Sequence, residues 1–223
     1  MPAHRATVAA SFSVAASVSG IALAALLLTG CMSPSPAPSG SPSASASASA
    51  GGSSPSPSAS ASAVADAVAI PKDCKAIVSP AVYAKTFGET PLNDPAVVDA
   101  EFAGAIAPVT PPAGAAADEV LASAAQLRCV WKDPRADITN LQASIGTVDP
   151  AVATGYLTSL AAQGFTCGAK YGGQQCQRIS QNEQYPVQDG RTYFLRGTTW
   201  ITVLQSNFAT NGLMGQIVGT LWP

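Results

Sequence analysis

Hydrophobic and polar positions alternate over short stretches in the second half of the chain, and this period of two is the pattern of half-buried β-strands. The clearest stretch runs from residue 141 to 146, where Leu, Ala and Ile alternate with Gln, Ser and Gly. In the last two stretches, residues 192–195 and 200–204, apolar side chains occupy both faces. This indicates a hairpin that turns at Gly197 and is covered on both sides. We predict strands at residues 128–132, 141–146, 175–180, 192–195 and 200–204.

Apolar residues at helical spacing predict four helices around these strands. The best supported has Asp149 as N-cap, Pro150 at the first helical position and Gly164 at its end. The helices are expected at residues 74–87, 118–127, 150–164 and 211–222, with an irregular or partly helical segment at 91–112. Pro80 disfavours a regular first turn in the first of them. Together these elements predict a single α+β domain, an antiparallel β-sheet of about five strands with helices packed on it.

The first thirty residues have the three-part layout of an export signal, with Arg5 before an apolar stretch of Ala, Val, Ser and Leu. The stretch ends in Leu28-Thr29-Gly30-Cys31, which resembles the lipobox of bacterial lipoproteins. The resemblance implies cleavage before Cys31, a diacylglyceryl group on its thiol, and an anchor on the extracytoplasmic side of the cell membrane. Two alternatives stay open: an uncleaved membrane-spanning helix at residues 7–28, which its Ser and Gly residues disfavour, and an unmodified cysteine in a secretory protein.

A segment of almost pure Ser, Ala and Pro follows, and after Met32 it contains no apolar residue larger than Ala. Such a segment cannot bury enough apolar surface to offset the entropy of ordering, so we expect a disordered linker. The sequence therefore divides into a signal peptide (1–30), the lipidated Cys31 with its linker (31–63) and an extracytoplasmic α+β domain (64–223). A domain of this length buries about 70% of its unfolded-chain surface, which is sufficient for a hydrophobic core.

Four cysteines remain in the predicted domain once the lipobox cysteine is set aside, and an even number in an exported domain indicates disulfide bonds. Gly172-Gly173 lies between Cys167 and Cys176, where the chain must reverse, and this favours a Cys167–Cys176 bond. Cys74–Cys129 is then the second bond, although the two other pairings stay open because connectivity is not readable from sequence. A zinc site is disfavoured, since the domain has no histidine and no closely spaced cysteine pair.

The single histidine of the chain, His4, lies in the export signal, and its absence from the domain excludes several reaction classes. A domain without histidine can run neither a Ser-His-Asp nor a Cys-His mechanism, and it cannot build a His-ligated metal site. No phosphate-binding glycine loop or calcium loop occurs, so we expect no cofactor and no metal. Ten basic and thirteen acidic residues follow the signal, a net charge of −3 without a basic stripe, which disfavours nucleic acid as a partner.

Three features of the domain carry a family resemblance: a cysteine that opens a short helix after a Ser/Pro linker, the strand segment Cys129-Val130-Trp131, and a late pair of cysteines. In these features the chain resembles small secreted lipoproteins of actinobacteria, whose domains are mostly uncharacterised. The extracellular sensor domains of mycobacterial receptor kinases share a disulfide-stapled α+β architecture of this kind, although this sequence departs from them in having no cytoplasmic part. The resemblance implies an envelope location and keeps a ligand-sensing role open.

Two tyrosines in predicted loops and two arginines near them are the candidates for a binding surface, because both residue types are frequent contacts at interfaces. Tyr171 lies beside the Gly172-Gly173 turn and Tyr185 precedes Pro186. Arg178 and Arg191 are close to them along the chain. The three tryptophans are further candidates for lining a pocket, although aromatic residues on a sheet are more often plain core; they are Trp131, Trp200 and Trp222.

We expect a non-enzymatic module that binds an unidentified envelope ligand or protein, and we assign no catalytic residue. One alternative is a cell-wall glycan hydrolase that uses paired carboxylates, with Asp99 and Glu101, or Asp118 and Glu119, as candidates. The other is a passive structural lipoprotein. The hydrolase requires two carboxyl groups that face one cleft, whereas a binding module requires an apolar pocket or an exposed patch.

Overall fold

Seven antiparallel strands form a single sheet in the computed structural model, which describes residues 68–223. Four α-helices of this range lie against the sheet, so the predicted α+β class is confirmed. The predicted signal peptide, the lipidated Cys31 and the linker lie outside the described residues. Within residues 68–223, no helix is both long and apolar enough to cross a membrane.

The strands are β1 (Gly104–Ala105), β2 (Ala125–Trp131), β3 (Asn140–Thr147), β4 (Thr166–Lys170), β5 (Gly173–Gln181), β6 (Gln188–Arg196) and β7 (Thr199–Ser206). They pair in the order β1-β2-β3-β7-β6-β5-β4. The central strand is therefore β7, which pairs with β3 on one side and with β6 on the other. The predicted hairpin at Gly197 joins β6 to β7, in the part of the sheet that is covered on both faces.

The sheet exceeds the predicted size of about five strands by the two edge strands, β1 and β4. β1 has only two residues, and every residue of β4 is exposed, so neither shows the hydrophobic alternation by which a sequence indicates a strand. β4 nevertheless pairs along its whole length with β5. Its place in the sheet is therefore determined by pairing with a neighbour and not by burial of its own side chains.

The helices are α1 (Pro80–Thr86), α2 (Ala117–Ser123), α3 (Pro150–Ala161) and α4 (Leu213–Leu221). α3 begins as predicted, because the Asp149 carboxylate accepts a hydrogen bond from the Ala151 N–H at 2.8 Å and Pro150 takes the first helical position. α2 is shorter than predicted, since the chain enters β2 at Ala125.

The predicted helix at residues 74–87 is divided into a 3-10 turn, Cys74–Ile77, and α1. The division precedes Pro80, which lacks the N–H that a helix interior requires and so takes the first position of a new helix. Asp73 caps the 3-10 turn by accepting from the Lys75 N–H, and Ser79 caps α1. Each segment therefore begins at its own cap.

One face of the sheet, here called the packed face, carries the main hydrophobic core beneath the 3-10 turn, α1 and α4. Trp131 is fully buried there, with its ring stacked on Phe87 at a centroid distance of 4.0 Å. The Trp131 Nε1–H donates to the Tyr83 hydroxyl at 3.1 Å. The strand side chains of the packed face are Leu127, Cys129, Trp131, Leu141, Ala143, Ile145, Phe194, Ile201 and Val203.

Both disulfide pairings favoured by the sequence are confirmed. Cys74–Cys129 joins the 3-10 turn to β2 within the main core. Cys167–Cys176 joins β4 to β5, where the two residues are direct cross-strand partners. Both sulfur atoms of this second bond lie within 4 Å of the Leu157 carbonyl oxygen of α3.

The opposite face of the sheet, here called the cleft face, is covered only in part. A second hydrophobic cluster forms where α2 and α3 pack on it, with Leu121, Leu157, Leu195 and Trp200 among its buried members. Farther from α3, the side chains of this face are half-buried or exposed. The uncovered part borders the two helices and forms a concave surface with them.

Candidate ligand-binding cleft

A cleft with a volume of about 250 Å³ lies between α2, α3 and the cleft face. This volume is close to the lower end of the range for small-molecule pockets. α2 contributes Asp118 and Leu121, and α3 contributes Tyr156. The strands contribute Ala125, Arg128, Gln142, Ser144, Gly146, Arg191, Tyr193, Trp200, Thr202 and Leu204.

The floor of the cleft follows from the register of four neighbouring strands. Arg128 of β2 lies opposite Ser144 of β3, and Ser144 lies opposite Thr202 of β7. Thr202 in turn lies opposite Tyr193 of β6. Residues in one such row project from the same face of a sheet. The register therefore places two hydroxyl groups between an arginine and a tyrosine.

A second row of the floor contains two arginines that are direct cross-strand partners, Arg191 of β6 and Arg178 of β5. Like charges in this arrangement destabilise a sheet. The Arg178 guanidinium lies over the Phe165 ring at 5.0 Å and donates to the Gln163 carbonyl oxygen at 2.9 Å. Arg191 is thus the member of the pair that lines the cleft.

A glycine determines how closely α2 approaches the floor. Gly146 of β3 is buried directly beneath the chain that connects α2 to β2. A Cβ atom at this position would lie 2.2 Å from the Ala124 carbonyl oxygen, well inside van der Waals contact. Only glycine therefore allows the α2 terminus to lie against β3 and close this side of the cleft.

Three aromatic side chains form a wall at the α3 end of the cleft, here called the aromatic wall: Tyr156, Tyr193 and Trp200. Tyr193 stacks on Trp200 with ring centroids 5.7 Å apart. Tyr156 meets both of them edge-on, at 5.5 Å from Tyr193 and 6.1 Å from Trp200. Such mutually packed rings give a rigid apolar surface to a ligand.

The Tyr156 hydroxyl remains protonated over the physiological pH range. Burial is the main cause that raises the pKa of Tyr156 far above its usual value of 10, and hydrogen bonding with the Tyr193 hydroxyl raises it further. The negative charge of Asp118 acts in the same direction, whereas the positive charge of Arg191 opposes it. The wall therefore offers a neutral hydroxyl group beside its rings.

The two arginines of the cleft have no carboxylate partner among the described residues. The one salt bridge found in residues 68–223 joins Asp133 to Arg135, and neither residue lines the cleft. The Nε atom of Arg128 is buried, and no hydrogen-bond acceptor is found for it in this range. Although acidic residues outnumber basic ones along the chain, the described lining contains two arginines and one carboxylate, and so carries net positive charge.

The structure distributes the four predicted binding residues over different places. Arg191 lines the cleft, and Arg178 is beside it on β5. Tyr171 lies at the tip of the β4–β5 hairpin, where its ring is so close to Gly215 of α4 that a Cβ there would lie 2.8 Å from it. Tyr185 lies beyond the other end of β5, about 30 Å along the strand. The two tyrosines therefore cannot share one small-molecule site.

Three cleft residues were not among the sequence-based candidates: Arg128, Tyr156 and Tyr193. Arg128 and Tyr193 could have been found from the alternation of their strands, because each lies between core residues and so projects from the opposite face of the sheet. Of the tryptophans, Trp200 lines the cleft and Trp131 belongs to the main core. Trp222 packs against that core, under the Arg196 guanidinium at 4.8 Å.

The carboxylates suggested for hydrolysis do not converge on the cleft. Asp118 lines it, whereas the adjacent Glu119 lines an adjoining depression that also includes Glu101 and that shares Arg128 with the cleft. Within the described part of the chain, no group of three or more His, Cys, Asp or Glu side chains is arranged to hold a metal ion. Comparison of the chain with protein-family models, with curated proteins and with solved structures finds no match.

Proposed function

We propose that this chain is a lipid-anchored lipoprotein of the bacterial envelope whose extracytoplasmic domain binds a small ligand in the cleft, without catalysing a reaction. The observation that carries this proposal is the concave site itself, in which a rigid aromatic wall faces arginines that lack carboxylate partners in the described chain. Sites for small molecules combine apolar walls with a few convergent polar groups in this manner.

The predicted location has support from two independent parts of the chain. Leu28-Thr29-Gly30-Cys31 resembles a lipobox, and a Ser/Ala/Pro segment of linker composition follows it. The domain contains two disulfide bonds, which form and persist in oxidising compartments. An envelope protein held outside the cytoplasmic membrane accounts for all of these features.

Binding has better support than paired-carboxylate hydrolysis. A glycosidase of that kind needs two carboxyl groups that face one cleft, about 5–9.5 Å apart. Asp118 is the one carboxylate among the described residues that line the cleft. The neighbouring Tyr156 hydroxyl is held protonated by burial and by Tyr193, so it contributes no second titrating group at physiological pH.

The anchor is tested by intact mass and membrane partition after expression in an actinobacterial host. We expect the wild-type chain to begin at Cys31, to carry acyl mass and to partition with membranes. The Cys31→Ala chain is the matched control and is expected to carry no acyl mass. A wild-type chain without acyl mass would contradict the anchor.

The cleft is tested by co-purification of small molecules, identified by mass spectrometry. We expect Thr202→Trp, which fills the floor of the cleft, to lose a compound that the wild-type protein retains. Thr154→Trp is the matched control, because Thr154 is exposed on α3 and does not line the cleft. Equal recovery from both variants, with equal unfolding midpoints, would contradict a ligand site in the cleft.

A further inference from the structure

We propose that the ligand of the cleft is a small organic anion: its oxyanion group, carboxylate or phosphate, lies between Arg128 and Arg191, and its apolar ring lies against the aromatic wall. This inference rests on the proposed function of the cleft as a ligand site. It adds the chemical class of the ligand and the orientation in which the ligand binds.

The charge of the ligand follows from the two arginines. They approach the cleft from strands three positions apart in the sheet, β2 and β6, a separation of about 14 Å between the strands. Both side chains line the same volume, and the described residues offer no carboxylate to either of them by salt bridge. An oxyanion between the two guanidinium groups would give each of them the charged partner that it lacks.

The buried part of Arg128 gives a second, independent indication. Its Nε atom is excluded from solvent, and no acceptor is found for it within residues 68–223. Buried polar atoms are nearly always hydrogen-bonded, so the Arg128 guanidinium retains unused donor capacity beside the cleft. A guanidinium presents its donors in a fixed fork that matches a carboxylate or phosphate group.

Arg191 is an exposed residue of β6 that lies directly opposite Arg178 in the sheet. Like charges directly opposite each other are unfavourable, and an anion beside them would reduce this repulsion. Arg178 is already engaged with the Phe165 ring and the Gln163 carbonyl oxygen. Arg191 is therefore the arginine of this pair that is placed to meet an anion in the cleft.

The floor and the wall determine the orientation of the ligand. Ser144 and Thr202 lie in one row with Arg128, so their hydroxyl groups can donate to the same oxyanion. The rings of Tyr193 and Trp200 lie towards α3, where they offer an apolar surface and no charge. The anionic end of the ligand is thus expected over the row that contains Arg128, Ser144 and Thr202, and its apolar ring at the α3 end of the cleft.

The volume of the cleft limits the size of the ligand. At about 30 Å³ for each water-sized group, 250 Å³ holds roughly eight such groups. A benzoate or a phenyl phosphate is of this order, whereas a diacyl lipid or a glycan chain is much larger. The ligand is therefore a single small molecule.

The inference is tested with four probes titrated into the complete chain carrying Cys31→Ala, which cannot be acylated. The probes are benzoate, its neutral isostere benzamide, phenyl phosphate and inorganic phosphate. Binding is followed by NMR through the Trp200 indole N–H, assigned with Trp200→Phe, and through the Ser144 and Thr202 amides. The variants are Arg128→Gln and Arg191→Gln, with Arg135→Gln as the control that removes an equal charge outside the cleft.

We expect benzoate or phenyl phosphate to bind at least tenfold more tightly than benzamide and inorganic phosphate, and the tighter of the two identifies the oxyanion. Arg128→Gln and Arg191→Gln should each weaken this binding at least tenfold, whereas Arg135→Gln leaves it unchanged. Both cleft variants should keep the unfolding midpoint of the parent chain or exceed it, since each loses an unpaired charge.

Four results would overturn the inference. Benzamide binding as tightly as the tighter of benzoate and phenyl phosphate, or both cleft variants binding like the parent, would show that the site does not select an anion, while the cleft remains a ligand site. Inorganic phosphate binding as tightly as phenyl phosphate would remove the role of the aromatic wall. If no probe perturbs the cleft signals at millimolar concentration, both the anion specificity and the proposed function of the cleft are wrong.

Discussion

The packed face and the cleft face consist of alternate residues of the same strands, but they differ in what covers them. Along β2, Leu127, Cys129 and Trp131 are at most 1% exposed beneath the 3-10 turn and the helices. The intervening Arg128 and Val130 remain half-buried on the other face. The comparison shows that the packed face supplies most of the stability of the domain. The cleft face can therefore carry groups that do not stabilise the sheet.

The groups on the cleft face support this division of roles. Directly opposed arginines and a buried, unpaired Nε atom both lower the stability of a fold. A domain tolerates such groups when its core offsets them, and they concentrate at functional sites. Substitution of core side chains on the packed face should therefore cost more stability than substitution of polar side chains on the cleft face.

The largest expected effect is the loss of a core ring from the packed face. Trp131→Ala removes a fully buried side chain together with its stacking on Phe87, and should lower the free energy of unfolding by about 3–5 kcal/mol. Thr202→Ala, at the half-buried floor of the cleft, should change it by less than about 1 kcal/mol. Urea unfolding monitored by circular dichroism measures both, and equal losses would contradict the division between the faces.

Removal of the disulfide bonds should rank next, with the bond of the packed face the more stabilising. Chain entropy gives about 4 kcal/mol for the 55-residue separation of Cys74 and Cys129, and about 3 kcal/mol for the nine-residue separation of Cys167 and Cys176. Paired Cys→Ala variants should show this order in urea. The reverse order would mean that packing of the edge hairpin on α3 outweighs loop length.

A smaller effect is expected where α2 closes the cleft. Gly146→Ala forces a methyl group against the Ala124 carbonyl oxygen and should lower the free energy of unfolding by about 2 kcal/mol, because the connection to α2 must move. Gly155→Ala is the matched control: nothing lies near its Cβ position in α3, and it should raise stability by up to about 1 kcal/mol. A harmless Gly146→Ala would show that α2 is not held against β3.

The smallest expected effect concerns the aromatic wall at high pH. The pKa of Tyr156 is raised in the folded protein, so only the unfolded chain ionises this residue as the pH rises above 10, and stability then falls. Between pH 10 and 11, wild type should lose less than about 1 kcal/mol more than Tyr156→Phe, because solvent screens this half-buried side chain, and below about pH 9 the two curves should run parallel. Parallel curves throughout would contradict the burial of this hydroxyl.

Local signals in the sequence were sufficient for much of the fold. The N-cap Asp149 with Pro150 predicted the start of α3, and the turn at Gly197 predicted the β6–β7 hairpin. The Gly172-Gly173 reversal favoured the correct disulfide pairing. β4 gave no such signal, because an edge strand whose residues are all exposed has no apolar period. Of the four predicted tyrosines and arginines, Arg191 alone lines the cleft, and of the three tryptophans only Trp200 does.

By itself the sequence determined which residues of each strand face the core, since alternation is a local property of the extended backbone. It also determined the caps at Asp73 and Asp149 and the two-sided burial of the last hairpin. Only the tertiary structure decided that β3 pairs with β7, and that Arg128, Ser144, Thr202 and Tyr193 therefore form one row. The β3–β7 pairing joins segments more than fifty residues apart, and a local pattern does not record such a contact.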